Sequence, residues 1–509
     1  MPAATEPRLA KSYAANVVLV ILTLFPGLIN TSAVALAAPV MGADLGVAPD
    51  VAAALPLVSD AALAFGCLLG AELVRRCDNR TLYFWLLGIS LATSLASALA
   101  PAYGVLLAAH VLHGLAGGVL FIVVLPSLIT NFGSEKLGAT AAVIVPALFG
   151  AATLGPLVGG AVAAPGLWRA VFGAEAVLAV AALALATITM QKREPQGADE
   201  PVDWLALGLA AVGSGFVYFG AGALAGHDWA YPPAAVPVAL GVALYAVLIV
   251  VEARKEHPLV PVRKLFTSLA LVGTIATVLG SVTFGALTQC FSLTLLRVDG
   301  LTPRATGFAF WPEFLTALAA GYVFGRLVST KWVIVLGAIG LGFVTLAALL
   351  ARAAAPVDAG SVGWLCLIGG FGAGLSVSPG LFVIALSFEK KLVGRAIALL
   401  NLFRLTAGFV SAPGVEHTIG SRASAAHSAD AGVRAFLTGR SHPSGAELDA
   451  LRRALAAAIS DAYVIVIVLG LIGIAAVAAV LVATHVKLRP PDLRKFDDGQ
   501  PALETPALA

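Results

Sequence analysis

Charge is what this chain has least of. Asp, Glu, Lys and Arg together make up 12% of its 509 residues, about half the share that covers the surface of a soluble domain. A string of soluble domains is therefore excluded. Cysteine is as scarce: Cys67, Cys77, Cys290 and Cys366 are the four. They sit in or beside apolar segments without paired spacing, so they read as small core residues, and neither a disulfide nor a metal framework is expected. Nothing resembles a basic nucleic-acid patch, and no Gly-x-x-x-x-Gly-Lys-Ser/Thr loop is present. Nucleic-acid partners, ATP hydrolysis by this chain, enzymatic activity and a resident cofactor are accordingly not expected.

Apolar length takes the place of charge. Hydrophobic residues form 59% of the chain, and the mean hydropathy is +0.95. Runs of about 20 apolar residues, each long enough to cross a bilayer as a helix, recur from end to end. Fourteen spans are expected, near 14–40, 52–74, 82–101, 104–129, 138–163, 168–190, 204–226, 233–252, 269–296, 304–326, 332–352, 361–387, 394–415 and 461–486. The first carries small residues that could pass for a signal-peptidase site. Its apolar run is long and similar segments follow at once, so it is read as a retained helix. Lipid is thus the solvent for most of the surface.

Lysines set the orientation. Lys11, Lys136, Lys192, Lys255, Lys264, Lys331, Lys390, Lys391, Lys487 and Lys495 all fall at the N-terminus, after even-numbered spans, or at the C-terminus. The positive-inside rule then places both termini in the cytoplasm and supports an even span count. Spans one to six and nine to fourteen look like related halves, since span two ends in "GAELVRR" and span ten in "GYVFGR". The expected division is a six-helix bundle over 1–190, two inserted helices with cytoplasmic joints over 191–268, a second six-helix bundle over 269–486, and a tail over 487–509. The second bundle includes an extracytoplasmic loop over 416–460, ending in a surface helix with Ser444 near its start.

One apolar stretch, "LFGAATLGPLVGG" at 148–160, is crowded with glycine and contains a proline. Helices in lipid associate by close packing, and small residues four apart let their backbones approach. Gly155 and Gly159 have that spacing, with Gly160 and Ala152 widening the smooth face. Pro156 removes a donor and crowds the Ala152 carbonyl, so a bend is expected there.

From Gly150 to Gly160, "GAATLGPLVGG" resembles the antiporter motif of the fifth helix in exporters of the major facilitator superfamily. "GLWRAVF" after it is similar to that family's Trp-Arg pair opening helix six. "VDWLALGL" at 202–209, "VEARKEHPLVPVRKLF" at 251–266 and "ALLNLFRLTAG" at 398–408 resemble motifs of its fourteen-helix branch, the drug:proton antiporter-2 family. The resemblance implies an all-α integral membrane protein of the major facilitator fold. Two six-helix bundles plus two additional helices would work as a single chain in the bacterial inner membrane.

Departures from the family fall at functional places. The loop after helix two, usually Gly-x-Leu-x-Asp-Arg-x-Gly-Arg, is "GAELVRRCDNR" here: Gly70 and Arg75 match, Val74 replaces the acid, and Asp78 sits nearby. That acid normally helps latch the halves on the cytoplasmic side, so a different latch is required. Asn30 stands where helix one usually carries an acid, and His110 where helix four usually carries an arginine.

Protonatable groups remain. A charged side chain at bilayer depth costs about 2.5–3.5 kcal/mol on insertion scales, so it tends to face a cavity and have a role. Asp60, Glu175 and Glu313 are the candidates, with Glu175 alternatively reaching the outer interface and Glu313 alternatively near water. His110 and His113 share a helix face and titrate, when unperturbed, at about pH 6.5; interhelical hydrogen bonding is the plainer reading. Asn401 and Arg404 share another face, Arg404 either meeting a cavity acid or contacting headgroups. Gln289 is a substrate contact or interhelical glue.

Together these imply a secondary active exporter of small, partly apolar organic molecules driven by inward proton flow, with Asp60 binding the proton and His110 as relay. A carboxylate cannot be neutralised by a proton and a cationic substrate at once, which is the simplest route to exchange. A dedicated carrier of one metabolite or vitamin in the same fold is the alternative.

Overall fold

The computed structural model describes residues 12–190, 192, 195, 200–224, 231–355, 357–427, 430–437, 439, 441 and 443–503. Lys11 and most of the 191–199 joint lie outside the described residues. No strand occurs among them. The long helices are α1 (Tyr13–Asp44), α2 (Ala54–Arg76), α3 (Asn79–Ala98), α4 (Tyr103–Thr130), α5 (Ser134–Val162), α6 (Arg169–Thr189), α7 (Trp204–Leu224) and α8 (Pro232–Arg254). They continue as α9 (Leu269–Val298), α10 (Pro303–Ala309 and Trp311–Leu327), α11 (Leu336–Ala353), α12 (Ala359–Ser387), α13 (Lys390–Ala425) and α14 (Ala446–Ala483). Among the described residues, thirteen of these are long and apolar enough to cross a membrane.

The remaining expected span, α10, is broken. Its two parts meet at Phe310, just ahead of Pro312, which has no N–H to offer the preceding turn. Local capping supports the ends: Asp78 Oδ2 accepts from the Thr81 amide at 2.9 Å to start α3, and Asp358 Oδ1 accepts from Ser361 at 2.7 Å to start α12.

In α5, helical structure runs through Pro156, and the irregular turn is a π-turn over Pro146–Gly150. Pro146 lacks the donor that would close a regular turn, so the ladder slips one residue there. Two sequence expectations need correction, both in the stretch before the last span. The 416–460 stretch is largely helical, because the helix begun at Lys390 runs to His427 and the last helix starts at Ala446. The surface helix expected after Ser444 is continuous with the last span, and Gly445 precedes it without a side-chain cap.

Helices α1–α6 pack on one another, as do α9–α14, giving two bundles. They meet along two seams, α5 with α10 and α2 with α13, and α7 packs against both members of the second seam. The glycines of α5 serve two neighbours. A Cβ added at Gly155 would strike Ser32 and the Ile29 carbonyl of α1, and one at Gly159 would strike the backbone of Ala33. Gly160 instead abuts the Pro303 carbonyl of α10, and Gly307 of α10 abuts the Pro156 carbonyl. Gly150 faces Phe314 and Ala317 of α10. Toward the start of α5 Gly138 and Gly325 press on each other's carbonyls, so this seam is closed over its length.

A strap crosses the end of the molecule that carries the start of α5 and of α13. After α14 the chain forms a short helix, α15 (Leu493–Asp497), whose Phe496 is buried. Asp497 accepts from the Ser134 amide at 2.7 Å and its hydroxyl at 2.8 Å, at the start of α5. Lys390, opening α13, donates its amide to Gly499 at 3.1 Å, while the Ala502 amide bonds the Leu386 carbonyl at 2.7 Å. One segment thereby holds both bundles.

Candidate functional site

The polar residues picked from the sequence do not form one site. Four clusters hold them, and the best connected lies inside the first bundle with Glu175 of α6 as its hub. Oε1 of Glu175 is 3.0 Å from Nε2 of His113 on α4. Oε2 accepts from Nδ2 of Asn30 on α1 at 3.2 Å, and Nδ1 of His113 is 3.3 Å from the Thr93 hydroxyl on α3. Four helices thus give one side chain each. Gly27 lies beside the pair, where a Cβ would make ordinary contact, 3.5 Å from His113 Nε2 and 3.8 Å from Glu175 Oε1. Glu175 is 6% exposed, so it does not reach the outer interface. Beside the network lies a cavity of about 40 Å³, which Thr31, Ser59 and Ser90 also line, roomy enough for one to roughly three waters.

His110 stands one turn away. Its Nδ1 is 3.0 Å from the Leu106 carbonyl, its ring meets Phe172 edge-on at 5.2 Å, and its buried Nε2 has no partner. The two histidines both face α6, but only His113 engages the acid.

Asp60 is elsewhere. It is partly exposed on α2 and within electrostatic reach of Tyr218 on α7. Arg404 and Asn401 lie near that region on α13, with Arg404 Nε donating to Asn401 Oδ1 at 2.9 Å and Asn401 Nδ2 to the Ile397 carbonyl at 3.0 Å. Glu313 is buried in the second bundle, beside Cys366 and Gly370 of α12. Gln289 donates to Glu416 of α13 at 3.2 Å. At the end of α2 that leads into α3, Gly70 rests on Val119 and Ile122 of α4, Arg75 pairs with Glu72 at 2.8 Å and with Glu200, and Asp78 caps α3.

Sequence reading missed Thr93, Tyr218, Glu416 and Asp497. Glu416 follows "SAPG", a pattern that normally ends a helix; here the helix continues past it. Trp168 and Arg169 hold the outer end instead of a site: the Trp168 indole donates to Asp44 at 2.9 Å, and Arg169 donates to the Ala98 and Ala100 carbonyls at 3.0 and 2.9 Å.

Two seamed helical bundles in lipid, with ionisable networks in their interior, define a multi-pass membrane protein built around internal polar sites. The sequence profile of the Major Facilitator Superfamily matches residues 20–412, and the chain belongs to that family. It is 29% identical over 299 residues to a cephamycin export protein of Amycolatopsis lactamdurans, covering 57% of this chain and 61% of that one. It is 30% identical over 243 residues to a multidrug resistance protein B homolog of Mycobacterium tuberculosis (strain CDC 1551 / Oshkosh), covering 47% and 44%. The match therefore spans about half to three-fifths of these relatives' lengths. A crystal structure of a POT family transporter superposes with a TM-score of 0.61 at 13% identity, over 91% of this chain and 96% of that one, a likeness of fold.

Proposed function

We propose that this chain is a secondary active exporter of small, partly apolar organic compounds, exchanging them for protons by alternating access. It would be a member of the fourteen-helix drug:proton antiporter-2 branch, in a bacterial inner membrane with both termini cytoplasmic. The export direction is supported by the two relatives, whose names describe export and multidrug resistance. The lysine distribution supports the orientation.

One observation carries the proton coupling: the His113–Glu175 pair at 3.0 Å, tied to Asn30 and buried in the first bundle. An ionisable pair buried inside membrane-spanning helices has a role by default. A proton arriving from outside neutralises Glu175 and weakens its hold on His113 and Asn30. That frees α4 and α1 to shift against α6 as the bundles rock. The proton leaves from the cytoplasm-facing state, and the pair reforms. Asp60, on the α2–α13 seam, is the second carboxylate in the path.

Inverted vesicles incubated with the fluorescent carboxylate 1-pyrenebutyrate test this. Wild type is expected to accumulate the probe when an acid-inside gradient is imposed. Glu175→Gln should cut that accumulation at least about tenfold, and Asp60→Asn should cut it less. Equal accumulation in Glu175→Gln and wild type, or uptake that ignores the gradient, would remove the pair from the mechanism.

A further inference from the structure

Arg404 is the anomaly in the second bundle. It stands about fourteen residues above Lys390 on α13, about 21 Å up the helix axis, and so well inside a hydrocarbon core about 30 Å thick. Its Nε bonds Asn401, and no carboxylate among the described residues pairs with its guanidinium. A bare cation at that depth cannot face lipid without a large cost, so it faces an interior space. Its partial exposure fits that placement.

A second polar group lies beside it. Tyr218 of α7 is 2% exposed and within electrostatic reach of Arg404; its hydroxyl sits beside that of Thr406 without completing a well-formed hydrogen bond. The Thr406 hydroxyl pairs instead with Tyr245 at 3.2 Å, which also bonds Ser214 at 2.8 Å. The Tyr218 ring stacks on Phe409 of α13 at 4.4 Å, with 26° between planes. A planar cation with two free amino groups, a phenol and an aromatic stack thus converge where α2, α7 and α13 meet.

We propose that Arg404 and Tyr218 form the anion subsite of the transported compound, so that the substrate class is a small organic acid with a flat apolar body. This rests on the exporter reading above and names its cargo. The guanidinium offers a paired fork to the carboxylate, Asn401 fixes the fork's direction, and Tyr218 donates a further bond. The apolar body lies along the Tyr218–Phe409 stack. Asp60, within reach of the same Tyr218, opposes the carboxylate when ionised. The inserted α7–α8 pair, which supplies Tyr218 and Tyr245, thereby becomes part of the substrate path.

Binding to the purified full chain in nanodiscs, without a gradient, separates this from the coupling mechanism. The probes are 1-pyrenebutyrate, its uncharged amide and a pyrenyl ammonium ion, titrated by fluorescence anisotropy. Wild type is expected to favour the carboxylate over the amide by at least about tenfold. Arg404→Gln should abolish that preference, and Arg404→Lys should keep part of it. Tyr218→Phe, which leaves the stack in place, should weaken the carboxylate several-fold, and Asp60→Asn should tighten it. Equal binding of carboxylate and amide by wild type, tighter binding of the ammonium, or an unchanged preference in Arg404→Gln that still elutes as a single species, would overturn the proposal. Each of these would leave gradient-driven export untouched. Loss of the pH-gradient response with the carboxylate preference intact would instead fault the coupling alone.

Discussion

At the scale of single residues, Asn30 shows how a departure from a family pattern can be informative. An amide there keeps a polar contact to Glu175 without adding a second negative charge beside it. Two carboxylates at that separation would compete for one proton. Removing the amide leaves a buried carboxylate oxygen short of a donor, a change worth about 1–3 kcal/mol. Asn30→Ala is therefore expected to lower stability by that order, seen as a fall in the thermal unfolding midpoint in detergent. An unchanged midpoint would show that the 3.2 Å contact contributes nothing. Which polar residues lie inside the membrane-spanning segments could be read from the sequence, because ionisable side chains inside apolar runs stand out. Which of them meet could not. Asn30 and Glu175 are 145 positions apart, and no local spacing announces that α1, α3, α4 and α6 bring them together.

Elements follow a different logic. Apolar length and small-residue spacing are local properties, so thirteen of the fourteen expected spans and the glycine seam of α5 were legible in advance. Proline was a poorer guide. Pro156 sits in continuous helix, Pro146 marks the π-turn, and Pro413 lies inside α13 without ending it. In lipid, ending a helix strands backbone polar groups, so a helix tends to carry on past residues that would stop it in water. The two faces of α5 give a prediction at this scale. Gly155→Leu collides with α1 inside one bundle and is expected to lower stability without changing how the bundles sit. Gly160→Leu collides with the Pro303 carbonyl of α10 across the seam and is expected to drive the outer ends apart. Spin labels at Ala164 and Asp299, read by double electron–electron resonance, should show a longer distance in Gly160→Leu and not in Gly155→Leu. The same shift in both would mean that α5 does not divide its glycines between packing and pivoting.

For the whole molecule the question is what closes the strap end of the bundles when the family's latch acid is replaced by Val74. The strap over 490–503 answers it by linking Ser134 of the first bundle with Leu386 and Lys390 of the second. Single exposed hydrogen bonds are weak holds, whereas burying a Phe side chain is worth about 1.5–3 kcal/mol. Phe496, buried beneath the strap and 5.2 Å from the Lys390 ammonium, should therefore matter more than Asp497. The amide of Ser134, then its hydroxyl, holds Asp497 below the ordinary carboxylate range. A carboxyl depressed in the folded state contributes stability above its unfolded value, about pH 3.9 for Asp, and loses it only as pH falls through the lower folded value. The strap is thus fully formed from pH 6 to 8 and is not the proton sensor. With spin labels at Glu135 and Lys391, which are exposed on the strap ends of the two bundles, deletion of 489–509 is expected to lengthen the distance most. Phe496→Ala should lengthen it less and Asp497→Asn least, each by the same amount at pH 6 and pH 8. If the deletion leaves the distance unchanged, the seams of α5–α10 and α2–α13 close this side unaided. If the Asp497→Asn effect grows toward pH 8, the carboxylate is titrating in that range and the strap, not the His113–Glu175 pair, is reading the proton.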